Sequence, residues 1–181
     1  MKTSGPAGQP PVDGERIARA VARLRGVLAS RPETALGDDE PAIATMGADL
    51  GCEVAGPQGQ HARTDMASAL GGNETAPTPG WYLRAAIASC TATLIRLYAA
   101  EEGVVLDRVE VGVFSRSDAR GLLGVEGVGA GCRLRTEIRI AAAGVPAGTL
   151  IGLARRAHQH SPVGATIAAG DTGTVEIEIV G

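Results

Sequence analysis

Between residues 80 and 102 the apolar positions Leu83, Ile87, Cys90, Leu94 and Leu97 step by four, three, four and three. That spacing predicts a helix with a continuous seam down one side. No proline interrupts it, and its one glycine before Gly103 is Gly80 at the start. The intervening Ala85, Ala86, Ala88, Ser89 and Ala92 are small and uncharged. A helix that is apolar or small on nearly every side is buried on nearly every side. This one is expected at the centre of the fold, with Cys90 at its middle and Gly103 at its end.

The second half of the chain alternates with a period of two. Val109, Val111 and Val113 share a face, as do Cys132, Leu134, Thr136, Ile138 and Ile140, with Arg133, Arg135, Glu137 and Arg139 opposite. Val175, Ile177 and Ile179 alternate with Glu176 and Glu178. The pattern predicts three half-buried strands of one mostly antiparallel sheet. Arginine–glutamate pairs across its solvated face would each contribute roughly 0.2–1 kcal/mol. Between the last two strands, Leu150, Leu153, Ala154 and Ala157 predict an amphipathic helix ending near His160. Ser161 as cap and Pro162 in first position open a further short helix.

Ahead of residue 80 the signals are weaker. Residues 42–48, 52–55 and 60–65 read as short strands of a small meander, and Leu70-Gly71-Gly72-Asn73 as a turn. Ile17, Val21, Leu24 and Leu28, with Arg16, Arg19, Arg23 and Arg25 around them, predict an amphipathic helix over 13–31, capped by Asp13 and ending before Pro32. Residues 1–12 read as a disordered tail and 33–41 as a linker, leaving 42–181 as the domain proper. Strand, helix, strand, strand, helix, strand is an α+β order with helices on one face of a sheet.

Aromatic residues make up only 2% of the 181 residues. The core must therefore come from Ala, Val, Ile and Leu, which bury less area than rings. A core this small gains if it continues across a subunit interface, so an oligomer is expected. The formal net charge of -3 argues against a protein that binds nucleic acid by neutralising phosphates. No apolar run reaches the ~18 residues of a membrane span, and no secretory leader is legible. Three cysteines cannot all pair with one another, and none are at CxxC spacing. A reduced, cytoplasmic setting follows.

Cys90 is the sharpest chemical candidate. A thiol inside a buried helix is ordinarily inert, because desolvation disfavours the thiolate. Reactivity requires a cation. Arg84 and Arg96 are six residues away on either side and lie far round the helix. The cation would have to come from another segment, such as Arg63, or from a partner subunit. Cys132 shares a face with Leu134 and Ile138 and reads as core; Cys52 reads as part of a short strand or as a replacement second thiol. His158 and His160 are two apart, on opposite sides of a helix, and no metal site is expected. The glycines between 121 and 131 read as a hairpin connection, not a phosphate loop. No serine-hydrolase elbow is present.

The stretch Pro77-Thr78-Pro79-Gly80-Trp81-Tyr82-Leu83-Arg84-Ala85-Ala86-Ile87-Ala88-Ser89-Cys90-Thr91 resembles the central-helix motif of the OsmC/Ohr family, P-x-x-x-L-x-x-A-x-x-x-C. In register with it, Tyr98-Ala99, residues 103–107 and Val109-Glu110-Val111 resemble the family's helix end and next strand. Asp118-Ala119-Arg120-Gly121-Leu122-Leu123-Gly124 resembles its D-x-R-G-x-x-G loop, and residues 157–163 its second-cysteine segment. The resemblance spans roughly residues 42–181. It implies the OsmC-like α+β fold, with a mostly antiparallel sheet packed on a long central helix. It also implies an intertwined homodimer with reactive thiols at the subunit boundary.

The family's best-known activity is thiol-dependent reduction of organic hydroperoxides. A thiolate attacks the O–O bond and becomes a sulfenic acid, a second thiol condenses with it, and an external dithiol resets the pair. An Arg and a Glu hold and polarise the first cysteine. Here Cys90 matches the attacking cysteine, Ser161 stands at the second-cysteine position, and Gly80 stands where the family has its Glu. No arginine lies between Arg31 and Arg63. Arg63 is the nearest substitute, and Glu74 the nearest carboxylate before Gly80. The resemblance therefore implies a one-cysteine peroxidase using an external thiol reductant, with no cofactor and no metal. The alternative is a non-catalytic module holding a small apolar or thiol ligand in the dimer cleft. On a third reading the N-terminal helix is an interaction arm.

Overall fold

A computed structural model describes residues 14–170 and 173–179 of the chain. The tail at 1–12 and the cap at Asp13 lie outside the described residues. The central element is helix α2, Pro79–Glu101. Thr78 caps it by accepting from the Trp81 amide at 3.3 Å, and Pro79 supplies a pre-set first turn. The chain leaves it through Gly103, whose φ of 67° is one that glycine adopts without strain.

The seam of α2 differs from the expected one. Its buried positions are Ile87, Thr91, Ile95, Tyr98, Ala99 and Ala100. Leu83 is exposed, Cys90 is half-buried, and Leu94 and Leu97 pack at the margin of the core. Ala86, Ser89 and Thr93 on the opposite flank are exposed. Small residues permit burial on every side, but within one chain Leu83, Ala86, Ser89 and Thr93 are left exposed.

The covering comes from strands β4 (Arg108–Ser117) and β5 (Cys132–Ala141), an antiparallel pair with Val109 opposite Ile140 and Val111 opposite Ile138. Glu110 faces Arg139 across the ladder and is ion-paired to it and to Arg108. The short helix α3, Ala119–Leu122, lies in their connection, capped by Asp118. Helix α4, Ala147–Gln159, buries Leu150, Leu153, Ala154 and Ala157, steps of three, one and three that form one apolar stripe. Helix α5, Pro162–Ala169, follows directly. Ile95, Tyr98, Ala99, Leu106 and the α4 stripe form the buried cluster, an aliphatic core with a single ring.

Strands β1 (Ile43–Met46), β2 (Cys52–Ala55) and β3 (His61–Thr64) form a separate three-stranded antiparallel meander. Helix α1, Gly14–Ser30, packs against α2. Its Ile17, Val21 and Leu28 are half-buried and its Leu24 is exposed.

Two further expectations are corrected. Residues 173–179 form no strand: Val175, Ile177 and Ile179 are 80%, 86% and 94% exposed. Alternation makes a segment fit for a sheet, but a strand exists only when a neighbouring edge supplies hydrogen bonds. The described β-structure is accordingly two sheets, of three strands and of two. Cys132, expected in the core, is exposed. It pairs with Ser117 at the last rung of the β4–β5 ladder, and the core-packed residues Val109, Val111, Ile138 and Ile140 lie toward the other end.

Candidate functional site

Cys90 sits mid-helix and half-buried, and its sulfur makes no hydrogen bond among the described residues. Spacings of four, seven and eleven residues return to one flank of a helix. Ala86, Leu83, Leu97 and Glu101 therefore share the flank of Cys90. Toward the N-terminus that flank is open, since Leu83, Ala86 and Ser89 are exposed. Toward the C-terminus it is occupied by α1, whose Arg25 Nε lies 3.0 Å from Glu101 Oε1. The adjacent Thr91 is fully buried, and its hydroxyl has no partner.

Each of the three candidate arginines has a bond to another residue. Arg84 Nη1 donates to Ser115 Oγ at 2.9 Å. Arg96 Nη1 donates to the Leu106 carbonyl at 3.3 Å. Arg63 Nε lies 2.5 Å from Glu53 Oε1, and the other oxygen of that carboxylate meets His61 Nε2 at 2.7 Å. Strand parity explains the last case. Glu53 and Arg63 are cross-strand partners and so share one face of the meander, while Cys52 and Thr64 share the other. Arg63 is thus held on a charged outer face, and within one chain it is not brought to Cys90. Cys52 lies on the opposite, half-buried face.

Ser161 is completely buried and caps α5, its Oγ accepting from the Gly164 amide at 3.1 Å. Beside it is a cluster that no sequence spacing announced. The Tyr98 hydroxyl lies 3.0 Å from His160 Nδ1, and the Arg156 guanidinium stacks 4.2 Å above the Tyr98 ring. Arg156 Nη2 also reaches Glu102 at 2.8 Å. The contact joins the end of α2 to the α4–α5 junction, so it fixes where Ser161 stands relative to α2. An open cleft of about 410 Å³ lies next to this junction. Its walls include Ile87, Thr136, His158 and Ala165, and Ile87 is one helical turn before Cys90.

The loop leading into α2 is organised by two carboxylates. Asp65 is buried and accepts from the Thr75 amide at 2.9 Å, the Thr75 hydroxyl at 2.8 Å, the Met66 amide at 2.7 Å and the Asn73 amide at 3.3 Å. These bonds, led by that from the Thr75 amide, pull its pKa down to about 2. Glu74 accepts from the Ser68 amide at 2.8 Å and its hydroxyl at 2.7 Å, and the amide bond is the main cause of its lowered pKa. Glu74 is therefore committed to its own loop. Asp65 carried no motif that could have flagged it; its role appears only once residues 65–75 fold back on it.

Among the described residues no three His, Cys, Asp or Glu side chains are grouped to hold a metal ion. No described helix is long and apolar enough to cross a membrane.

The family model for OsmC-like protein matches residues 71–176. That stretch includes Cys90 and Ser161 and excludes α1, the meander and Arg63. An organic hydroperoxide resistance protein OsmC from Legionella pneumophila is 21% identical, with a TM-score of 0.56 over 73% of this chain and 90% of that one. An organic hydroperoxide resistance protein from Elizabethkingia anophelis, solved with thiocyanate bound, is 21% identical, with a TM-score of 0.57 over 72% and 89%. An OsmC-like protein from Mycoplasma pneumoniae is 12% identical, with a TM-score of 0.61 over 74% and 89%. At these identities the likeness is one of fold. No curated protein sequence matches the chain.

Proposed function

Since the chain belongs to the OsmC-like protein family, a fold shared with organic hydroperoxide resistance proteins, we propose that it is a thiol-dependent peroxidase acting through Cys90. The observation that carries this reading is the place of Cys90: mid-helix, half-buried, and on a flank that is open toward the N-terminus of α2. A thiol there is accessible to a small peroxide, and a second protomer lying on the same flank would shield it from bulk water. The homodimer is part of the proposal. The uncovered flank of α2 and the exposed, alternating Val175, Ile177 and Ile179 are surfaces a second copy would cover. A reduced cytoplasmic setting suits three cysteines that are all free.

In the chemical step the Cys90 thiolate attacks the distal peroxide oxygen. An S–O bond forms, the O–O bond breaks, and the alcohol leaves after taking up a proton. The sulfur loses two electrons and the peroxide gains them, leaving Cys90 as sulfenic acid. With serine at 161, an external dithiol completes the cycle. Its first thiol condenses with the sulfenic acid and releases water. Its second thiol displaces Cys90 and leaves the reductant as a disulfide. A cation for the thiolate would come from the partner protomer, because Arg63 and Arg84 are engaged within their own chain and Arg96 lies far round the helix from Cys90.

The test is turnover of an organic hydroperoxide with dithiothreitol, together with mass analysis of Cys90. Peroxide consumption that Cys90→Ser abolishes supports the reading. Equal consumption by Cys90→Ser, or a Cys90 that stays reduced, refutes it.

One observation favours a second reading, in which the family cleft binds a small apolar or thiol-bearing ligand and Cys90 only packs. The Cys90 sulfur has no hydrogen bond among the described residues, and Arg63, Arg84 and Arg96 each bond another residue. The pH profile of Cys90 alkylation separates the two readings. A midpoint at or above the free-thiol value of about 8.5 favours binding, and a clearly lower one favours catalysis.

A further inference from the structure

A second cavity lies on the other side of α2. It is an open cleft of about 660 Å³ walled by Ile17 of α1, Ala92, Thr93, Arg96 and Leu97 of α2, and Val109 of β4. Ile17, Ala92, Leu97 and Val109 make most of the wall aliphatic. Arg96 is the charged exception. It is half-buried, it has one hydrogen bond, to the Leu106 carbonyl, and no carboxylate among the described residues pairs with it. The acidic residues that follow it on the helix are taken: Glu101 pairs with Arg25 and Glu102 with Arg156. A guanidinium has five N–H donors, so most of its capacity is left over.

A cation half out of water, among aliphatic walls, favours an anion that brings its own apolar surface. We propose that this cleft binds an amphipathic monoanion, an apolar chain ending in a carboxylate. The carboxylate sits on Arg96, and the chain lies against Ile17, Leu97 and Val109. Ile17 makes α1 one wall of the site, and the Arg25–Glu101 pair, at 3.0 Å, holds α1 in place further along α2. Because α1 lies outside residues 71–176, this wall is not part of the stretch that the family model matches. The site uses no chemistry of Cys90, but Thr93 and Leu97 lie on the flank that the second copy of the proposed function would cover, so it rests on that copy leaving the cleft open.

Calorimetric titration of the full chain with decanoate, decanol and acetate tests the site. Decanoate should bind saturably at one site per chain, with decanol and acetate each at least about tenfold weaker. Arg96→Gln should reduce decanoate to the level of decanol, while Arg96→Lys, which keeps the charge, should restore most of the preference. Ile17→Trp, which fills the cleft, should abolish binding of both long-chain probes. If thermal unfolding shows that Arg96→Gln does not fold, Arg96→Lys and Ile17→Trp decide. Equal affinity for decanoate and decanol, wild-type binding by a folded Arg96→Gln, or unchanged binding by Ile17→Trp would overturn the proposal.

Discussion

The hydroxyl of Tyr98 lies 3.0 Å from Nδ1 of His160, 62 positions further along the chain. Tyr98 is buried, and its ring is covered by the Arg156 guanidinium. One phenol therefore fastens the last turns of α2 to the junction that carries Ser161. Tyr98→Phe keeps the ring and removes the bond. It should destabilise the protein by about 0.5–1.5 kcal/mol in urea unfolding. His160→Ala should cost a similar amount, and the double variant should cost less than the sum of the two.

Asp65 makes stability depend on acid. Its carboxyl is held at about 2, below the ordinary value of 3.8, by bonds that only the folded loop provides. A lowered carboxylate pKa stabilises the folded state fully above the unfolded value. That contribution is lost as pH falls from about 4 through about 2. Unfolding midpoints measured across this window should drop for the wild type. Asp65→Asn should be less stable at neutral pH and should show a flatter drop over the same window.

Gly121 has no room for a side chain. A Cβ there would lie 2.2 Å from the Gly129 carbonyl oxygen. Gly121→Ala must push the two backbones of the β4–β5 connection apart and should cost about 1–3 kcal/mol or more. At Gly129 a Cβ would meet nothing within 4 Å, so Gly129→Ala is the matched control and should change stability little. Denaturant unfolding of both variants measures the difference.

Cys132 is exposed, whereas Cys52 and Cys90 are half-buried. Accessibility favours Cys132 in a maleimide time course followed by mass spectrometry. It should label first, and Cys132→Ser should remove the fast phase while leaving peroxide turnover intact. A fast phase that survives in Cys132→Ser would place the most accessible thiol elsewhere.

Much of this molecule was readable in one dimension. The stripe of Leu150, Leu153, Ala154 and Ala157 is buried as its spacing required, because helical period alone decides which residues share a face. Ser161-Pro162 opens α5 for a reason equally local, a side-chain cap and a fixed φ. The three strands of the meander follow from short runs punctuated by glycine and proline. At the candidate site, Cys90 and Ser161 stand out in the sequence because they sit in segments that resemble the family's two cysteine motifs.

What the linear order did not contain was which flank of a uniformly small helix would be covered. Ile87, Thr91, Ile95 and Tyr98 face inward, and Leu83 does not, because β4, β5 and α4 happen to lie on that side. Parity made Val175, Ile177 and Ile179 fit for a strand, yet no edge among the described residues pairs with them. Arg63 was a plausible cation by distance along the chain, but its register partner Glu53 holds it on an outer face. Period and capping are properties of a few neighbouring residues, so the chain itself determined its helices, its turns and most of its strands. Burial, ion pairing and sheet membership depend on residues far away in the chain, and only their meeting in space decided them.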